Sequence, residues 1–272
     1  MYDKSRVNLK NPWVAALLGF LIPGAGHLYQ RRMFKAGIYS VCILGTFFCG
    51  MALGDWQTCY YRKEPAHTHY GYISQFMVGL PALPALVQSK RYRDFANADL
   101  PPSAESLSDL KFEGYYLPEG HLSLDEGVPI QGTLRGEIRP AEFGYELIDG
   151  AFVGLRTDNG ESFGLTLEGP PQIGRDIAPS RDRMFASRVV DDKGNSVGSI
   201  DGNVPRKFWN WYQMPLQESN LESLHGSLGK QFDLALVFTW VAGLLNVLAI
   251  WDALEGPAYG IGDEPDPDPE DD

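Results

Sequence analysis

Three cysteines and five histidines among 272 residues leave little material for a disulfide framework or a metal centre. Cys42 and Cys49 lie inside an apolar run, on one helical face, and Cys59 follows it. An odd number of thiols, two of them in apolar surroundings, defines no disulfide pattern, and all three read as packing residues. His67-Thr68-His69 could approach Cys59, but no second carboxylate or cysteine pair joins them, so no metal is expected. The β-rich middle of the chain has His121 and many carboxylates, yet the sequence has no HExxH, no P-loop, no GxSxG and no Cys–His pairing. It therefore reads as no enzyme, and no cofactor is expected. Positive charge is also scarce. Lys and Arg number 23 against 35 acids, a net charge of −12, which argues against nucleic acid as a partner. Seven of those acids fall between Asp263 and Asp272, alternating with Pro265, Pro267 and Pro269. Residues 257–272 cannot bury a core and are expected to be a disordered acidic tail.

Charge is missing altogether from four long stretches. Residues 234–251 read LALVFTWVAGLLNVLAIW between Asp233 and Asp252, residues 36–54 and 70–88 are uncharged, and residues 13–29 form a shorter apolar run broken at Pro23-Gly24. A hydrocarbon core of about 30 Å takes about 20 helical residues to cross. The expected fold is therefore a membrane α-helical bundle of four transmembrane helices with a small antiparallel β domain inserted. The first 96 residues supply helices at about 12–29, 36–54 and 70–88, residues 97–217 the β-rich domain, and residues 218–256 a long last helix. Pro12 suits a first helical turn, and Trp13 reads as an interfacial anchor. Pro81 and Pro84 predict a kink in the third helix, or a re-entrant segment in its place. Lys4, Arg6 and Lys10 before a short apolar stretch resemble a leader, but Pro23 and the basic sequence after it favour a retained helix. The average is misleading: a mean hydropathy of −0.21 would suit a soluble protein, because the polar middle dilutes apolar ends.

That middle is punctuated by Gly, Pro and Asp. VPIQGTLRGEI (128–138), FGYELIDGAFVGLRT (143–157) and ESFGLTLEG (161–169) read as strands, with Asp158-Asn159-Gly160 and Asp192-Lys193-Gly194-Asn195 as turns. The sheet they predict is partly open. Phe208, Trp209, Trp211 and Tyr212 beside Arg206 and Lys207 suit a bilayer interface or, alternatively, an edge of the β-domain core. Ser219 with Glu222 reads as a capping box opening the last helix, and Leu221, Leu224 and Leu228 share a stripe.

Pro23-Gly24-Ala25-Gly26-His27-Leu28-Tyr29, a basic turn, and then Lys35-Ala36-Gly37 resemble the two-transmembrane-segment (TM2-like) domain family over residues 10–55. Arg31 stands where that family carries glycine. Asn246 and Trp251-Asp252 are similar to the endings of bacterial multi-pass membrane proteins of unknown function. The resemblance implies membrane residence and no particular activity.

Two groups of residues stand out as candidates. Gly24, Gly26, the GxxxG of Gly50 and Gly54, and the stripe Ala235, Thr239, Gly243 would let helix backbones approach closely, within the chain or across a homo-oligomer. His27, Asp55, Asp233, Asn246 and Asp252 are polar groups at unusual positions for apolar segments. If all four segments span, parity puts His27 on the same side as Asp233 and leaves Asp252 on the other side, near Lys10. It also puts seven basic residues (Arg31, Arg32, Lys35, Lys90, Arg91, Arg93 and Lys230) on the side of the β domain, against Lys4, Arg6, Lys10, Arg62 and Lys63 opposite. The positive-inside rule then favours a cytoplasmic β domain. The expected function is a non-enzymatic, multi-pass cell-membrane protein that anchors a small β domain for protein or membrane interaction. The alternative is a small transporter, channel or membrane enzyme using the five polar residues. The expected partners are the lipid bilayer, a protein met through the β domain, and a second copy of the chain.

Overall fold

A computed structural model describes residues 10–62, 69–96, 105–120, 127–140 and 146–256. The acidic tail, His67, Thr68 and His121 lie outside them. The chain forms two compact units, one from residues 1–92 and 213–272, the other from residues 93–212.

In the first unit, Asn11 caps helix α1 (Pro12–Leu21), its Oδ1 accepting from Trp13 N and Val14 N at 3.1 and 3.3 Å. Ten residues rise only about 15 Å. Pro23 has no N–H to continue the helix, and Gly24 takes a left-handed φ of +84° that reverses the chain. Helix α2 (Ala25–Tyr29) then runs back, close enough that a Cβ on Gly26 would collide with the Ala15 carbonyl. Residues 12–29 are therefore a hairpin. Helix α3 (Met33–Leu53) follows, 21 residues and about 31 Å long.

Residues 70–88 break in the same way. Helix α4 (Tyr72–Phe76) ends before Gly79, whose φ is +84°, a 3-10 turn covers Leu80–Ala82, and helix α5 (Pro84–Ala96) leads away. The Tyr72 hydroxyl donates to the Ala82 carbonyl at 2.8 Å and closes this second hairpin across its base. Helix α6 (Glu218–Leu228) is capped by Gln217 and Asn220, not by the expected Ser219–Glu222 pair. Gly229 separates it from α7 (Lys230–Glu255), 26 residues long. Leu224, Leu216, Tyr60 and Phe232 form a small core here, flanked by Leu221 and Leu228.

The four-helix membrane bundle is thus not what this chain forms. Among the described residues two helices, α3 and α7, are long and apolar enough to cross a membrane. They run antiparallel, with Gly50 against Ala235 and Thr239 at one end and Arg32 against Asp252 at the other. The two remaining apolar runs fold back at a glycine of positive φ, each within two residues of a proline. Run length counts apolar residues and is blind to such a reversal.

The second unit is a seven-stranded antiparallel sheet: β1 (Glu105–Pro118), β2 (Val128–Pro140), β3 (Glu146–Arg156), β4 (Ser162–Gly169), β5 (Gln172–Ile173), β6 (Asp182–Val190) and β7 (Ser196–Pro205), in the order β4-β3-β2-β1-β7-β6-β5. A further pairing, Thr166 with Val190 and Leu167 with Val189, joins β4 to β6. The sheet expected to be partly open is therefore a closed six-stranded barrel with β5 as a short flap. Its interior is filled by Phe112, Phe152, Phe185, Leu134, Ile200 and their neighbours. So narrow a barrel curves tightly, and glycines stand opposite each other where it does: Gly114 with Gly202, Gly132 with Gly154, Gly136 with Gly150. The Phe152 ring covers Gly132 and Gly154, and the Phe112 ring covers Gly202.

Candidate functional site

The most concentrated polar chemistry in the described residues lies where the first hairpin, the start of α3 and the end of α7 meet. The break at Pro23-Gly24 turns α2 so that His27 faces α7, and Arg32 and Lys35 follow at the entrance of α3. Asp252 Oδ2 receives His27 Nε2 at 2.8 Å and Arg32 Nη2 at 2.9 Å, with Lys35 Nζ at 3.7 Å. Arg32 Nη1 also donates to the Gln30 amide oxygen and to the Asp252 carbonyl, both at 3.3 Å, and Gln30 Nε2 donates to the Ala253 carbonyl at 2.6 Å. His27 and Arg32 are each only 1% exposed. The His27 ring packs on Tyr39, centroids 4.6 Å apart. A buried guanidinium requires a counter-charge and filled hydrogen-bond sites, and this cluster provides both. It fixes the hairpin and both long helices at one end.

Parity puts His27 on the side of Asp233. Asp233 sits at the opposite end of α7, 66% exposed at its side chain, 3.4 Å from His225 Nε2. Parity failed because residues 12–29 do not cross: His27 returns to the end at which the chain entered. Arg32 reads from sequence only as part of a basic turn, and Gln30 carries no expectation. Arg31, standing where the resembling family has glycine, marks only the turn, in which it adopts a φ of +63°.

Asn246 occupies the middle of α7. Its Nδ2 donates to Gly19 O of α1 at 3.1 Å and to Met77 O after α4 at 2.7 Å. One amide therefore satisfies a carbonyl from each hairpin. Gly79 packs beside it against the carbonyls of Phe20 and Leu21. One turn back along α7, a Cβ on Gly243 would collide with the Ser74 carbonyl. Thr239 Oγ1 accepts from Gln75 Nε2 at 2.8 Å, and the same Gln75 nitrogen donates to Thr58 O at 2.9 Å. A Cβ at Gly50 would meet Ala235 O at 2.8 Å, and Gly54 abuts Thr58 and Ala235. Gly24 packs on Ala36 and Ser40, whose hydroxyl donates to Pro23 O at 2.7 Å. The small-residue stripes are covered within the chain, which leaves them unavailable to a second copy.

Asp55 lies just past α3 with a φ of +52°, its Oδ2 3.5 Å from Gln57 Nε2. His69 stacks on Tyr60 at 4.2 Å, its Nδ1 3.1 Å from the Tyr60 carbonyl, and burial lowers its pKa from the ordinary histidine value. Cys59 is buried, which pushes its thiol pKa up, whereas Cys42 and Cys49 face outward from α3 and do not pack inside as expected. Among the described residues no three His, Cys, Asp or Glu side chains gather as metal ligands would.

The chain belongs to the family described as Family of unknown function (DUF6677), whose model matches residues 14–262. No match to the two-transmembrane-segment domain accompanies it. No curated protein and no solved structure matches the chain.

Proposed function

We propose that this member of the DUF6677 family is an integral membrane protein whose helical unit, spanning with α3 and α7, holds the β barrel at a membrane surface to meet a protein or lipid partner. One observation carries the reading. The outward faces of α3 and α7 are apolar along their length, with Ile38, Val41, Phe48, Val237, Leu244 and Leu248 exposed, while the polar side chains Gln75, Thr239 and Asn246 are buried. A soluble helical pair would present the reverse pattern. The two hairpins then enter from opposite faces and meet at Asn246, and broken helices at membrane depth need such internal partners.

Transport or catalysis through the five polar residues has less support, because they do not converge. His27 and Asp252 are at one end of α7, Asp55 and Asp233 lie toward the other, and Asn246 is occupied by carbonyls. With two spans, Arg31, Arg32 and Lys35 move to the side of the chain termini. Six basic residues then flank each side, and the charge argument for a cytoplasmic β domain disappears.

The test is extraction. Membranes carrying the full chain should retain it through alkaline carbonate and urea and release it only to detergent. Release by carbonate would overturn the reading.

A further inference from the structure

The β unit has one corner whose chemistry differs from the rest of this acidic chain. Residues 172–184 and 204–212 carry Arg175, Arg181, Arg183, Arg206 and Lys207 against only Asp176 and Asp182, a local charge of +3 in a chain of −12. On this corner, a 3-10 turn over Phe208–Asn210 presents Phe208 and Trp209 to the outside, 57% and 44% exposed. Large aromatics are costly to leave in water, and these two are held there by a firm support. Phe208 stacks on Tyr212 at 4.5 Å, and Arg181 lies over the buried Trp211 ring at 5.2 Å. Asn210 Nδ2 donates to Asp176 Oδ2 at 2.8 Å, and Asn210 O accepts from Ala178 N at 3.2 Å. Arg206 ties down the neighbouring loop through the carbonyls of Arg175, Ser180 and Asp182. Arg175, Arg181 and Lys207 are exposed.

The chain itself limits where this corner can be. Gln213 is already part of the helical unit, its Nε2 donating to Pro81 O at 2.7 Å. Trp209 stands four positions before it in the chain, so their Cα atoms are no more than about 14 Å apart. We propose that Lys207, Phe208 and Trp209, with Arg175 and Arg181, form a foot by which the barrel rests on an anionic phospholipid surface, the rings entering the headgroup layer and the cations pairing with lipid phosphates. Tryptophan and phenylalanine with flanking basic residues is the composition that partitions to such an interface. The inference rests on the membrane reading above, and a protein partner is the competing occupant.

The test uses the full chain in vesicles with Trp13, Trp56, Trp211, Trp240 and Trp251 replaced by Phe, leaving Trp209 as the sole emitter. Brominated phosphatidylcholine–phosphatidylglycerol vesicles should quench roughly half or more of its emission, the behaviour of an interfacial indole. Quenching should be weaker in pure brominated phosphatidylcholine, and the triple variant Arg175→Gln, Arg181→Gln, Lys207→Gln should abolish that difference. If the single-tryptophan protein does not fold, a nitroxide on Trp209→Cys, with the three native cysteines replaced, reads the same depth by spin relaxation. Emission indifferent to brominated lipid, in a protein that still resists carbonate, overturns the foot and leaves the membrane reading intact. Equal quenching in both lipids overturns its anionic preference. Release by carbonate overturns the membrane reading itself.

Discussion

The helical unit and the barrel meet the same demand, that no backbone polar group be left without a partner, in opposite ways. The barrel meets it by geometry alone. Because β4 also pairs with β6, every described strand except the short flap β5 has a neighbour on both sides. The helical unit cannot, because two of its apolar segments are broken at Pro23-Gly24 and at Gly79. It recruits side chains instead: Asn246 for Gly19 and Met77, Ser40 for Pro23, Gln75 for Thr58. Glycine follows the same division. In the barrel it stands opposite glycine under an aromatic ring; among the helices it stands against a carbonyl of another segment. Stability in the barrel is therefore spread over many equivalent pairs, and in the helical unit it is concentrated in a few irreplaceable contacts.

The harshest way to break that contrast is Gly243→Val. The new side chain would strike the Ser74 carbonyl, and neither backbone can yield cheaply. A loss above about 4 kcal/mol is expected. The folded helical unit should vanish from gel filtration in detergent, while circular dichroism keeps its strand signal. Asp252→Leu comes next. It leaves Arg32 buried without a counter-charge, a change that costs about 3–5 kcal/mol for such pairs. Thermal melts should show it, with Asp252→Asn falling between the variant and the native chain. Asn246→Leu removes the donor from two carbonyls at once and should cost about 2–3 kcal/mol. A loss under about 0.5 kcal/mol would show that the hairpins do not depend on it. In the barrel, Gly154→Ala presses a methyl group on Gln131 O and the Phe152 ring, for about 1–3 kcal/mol of overpacking. Its melt should lower only the strand transition.

The gentlest probe is pH. Burial lowers the His69 pKa in the folded chain. Its contribution is complete above a pH of about 6.5, where both states are neutral, and is lost as pH falls from there through the lower folded value. The native protein should lose more thermal stability than His69→Phe over that window.

Much of this contrast was legible beforehand, and the rest was hidden for physical reasons. Uncharged residues 36–54 and 234–251 announced α3 and α7, and Asn-Gly and Lys-Gly-Asn turns announced strands. Closure of the barrel was invisible, because β4 and β6 pair across a short flap and no residue between them signals that step. The hairpins left traces in Pro23-Gly24 and in Gly79 before Pro81. Hydropathy cannot separate a segment that crosses from one that enters and returns, and one such misreading reverses every later parity. That is why parity puts His27 on the side of Asp233 when its carboxylate is Asp252, 225 residues away.

The shared amide also sets an order of manufacture. Gly19 and Met77 emerge from the ribosome early, and Asn246 follows only after the entire barrel, 227 and 169 residues later. Domains tend to fold as units during synthesis, and pairings this distant in sequence form late. The barrel is therefore complete while both hairpins still wait for α7. A chain that stops short of residue 246 should carry a finished barrel beside two hairpins that lack their shared amide.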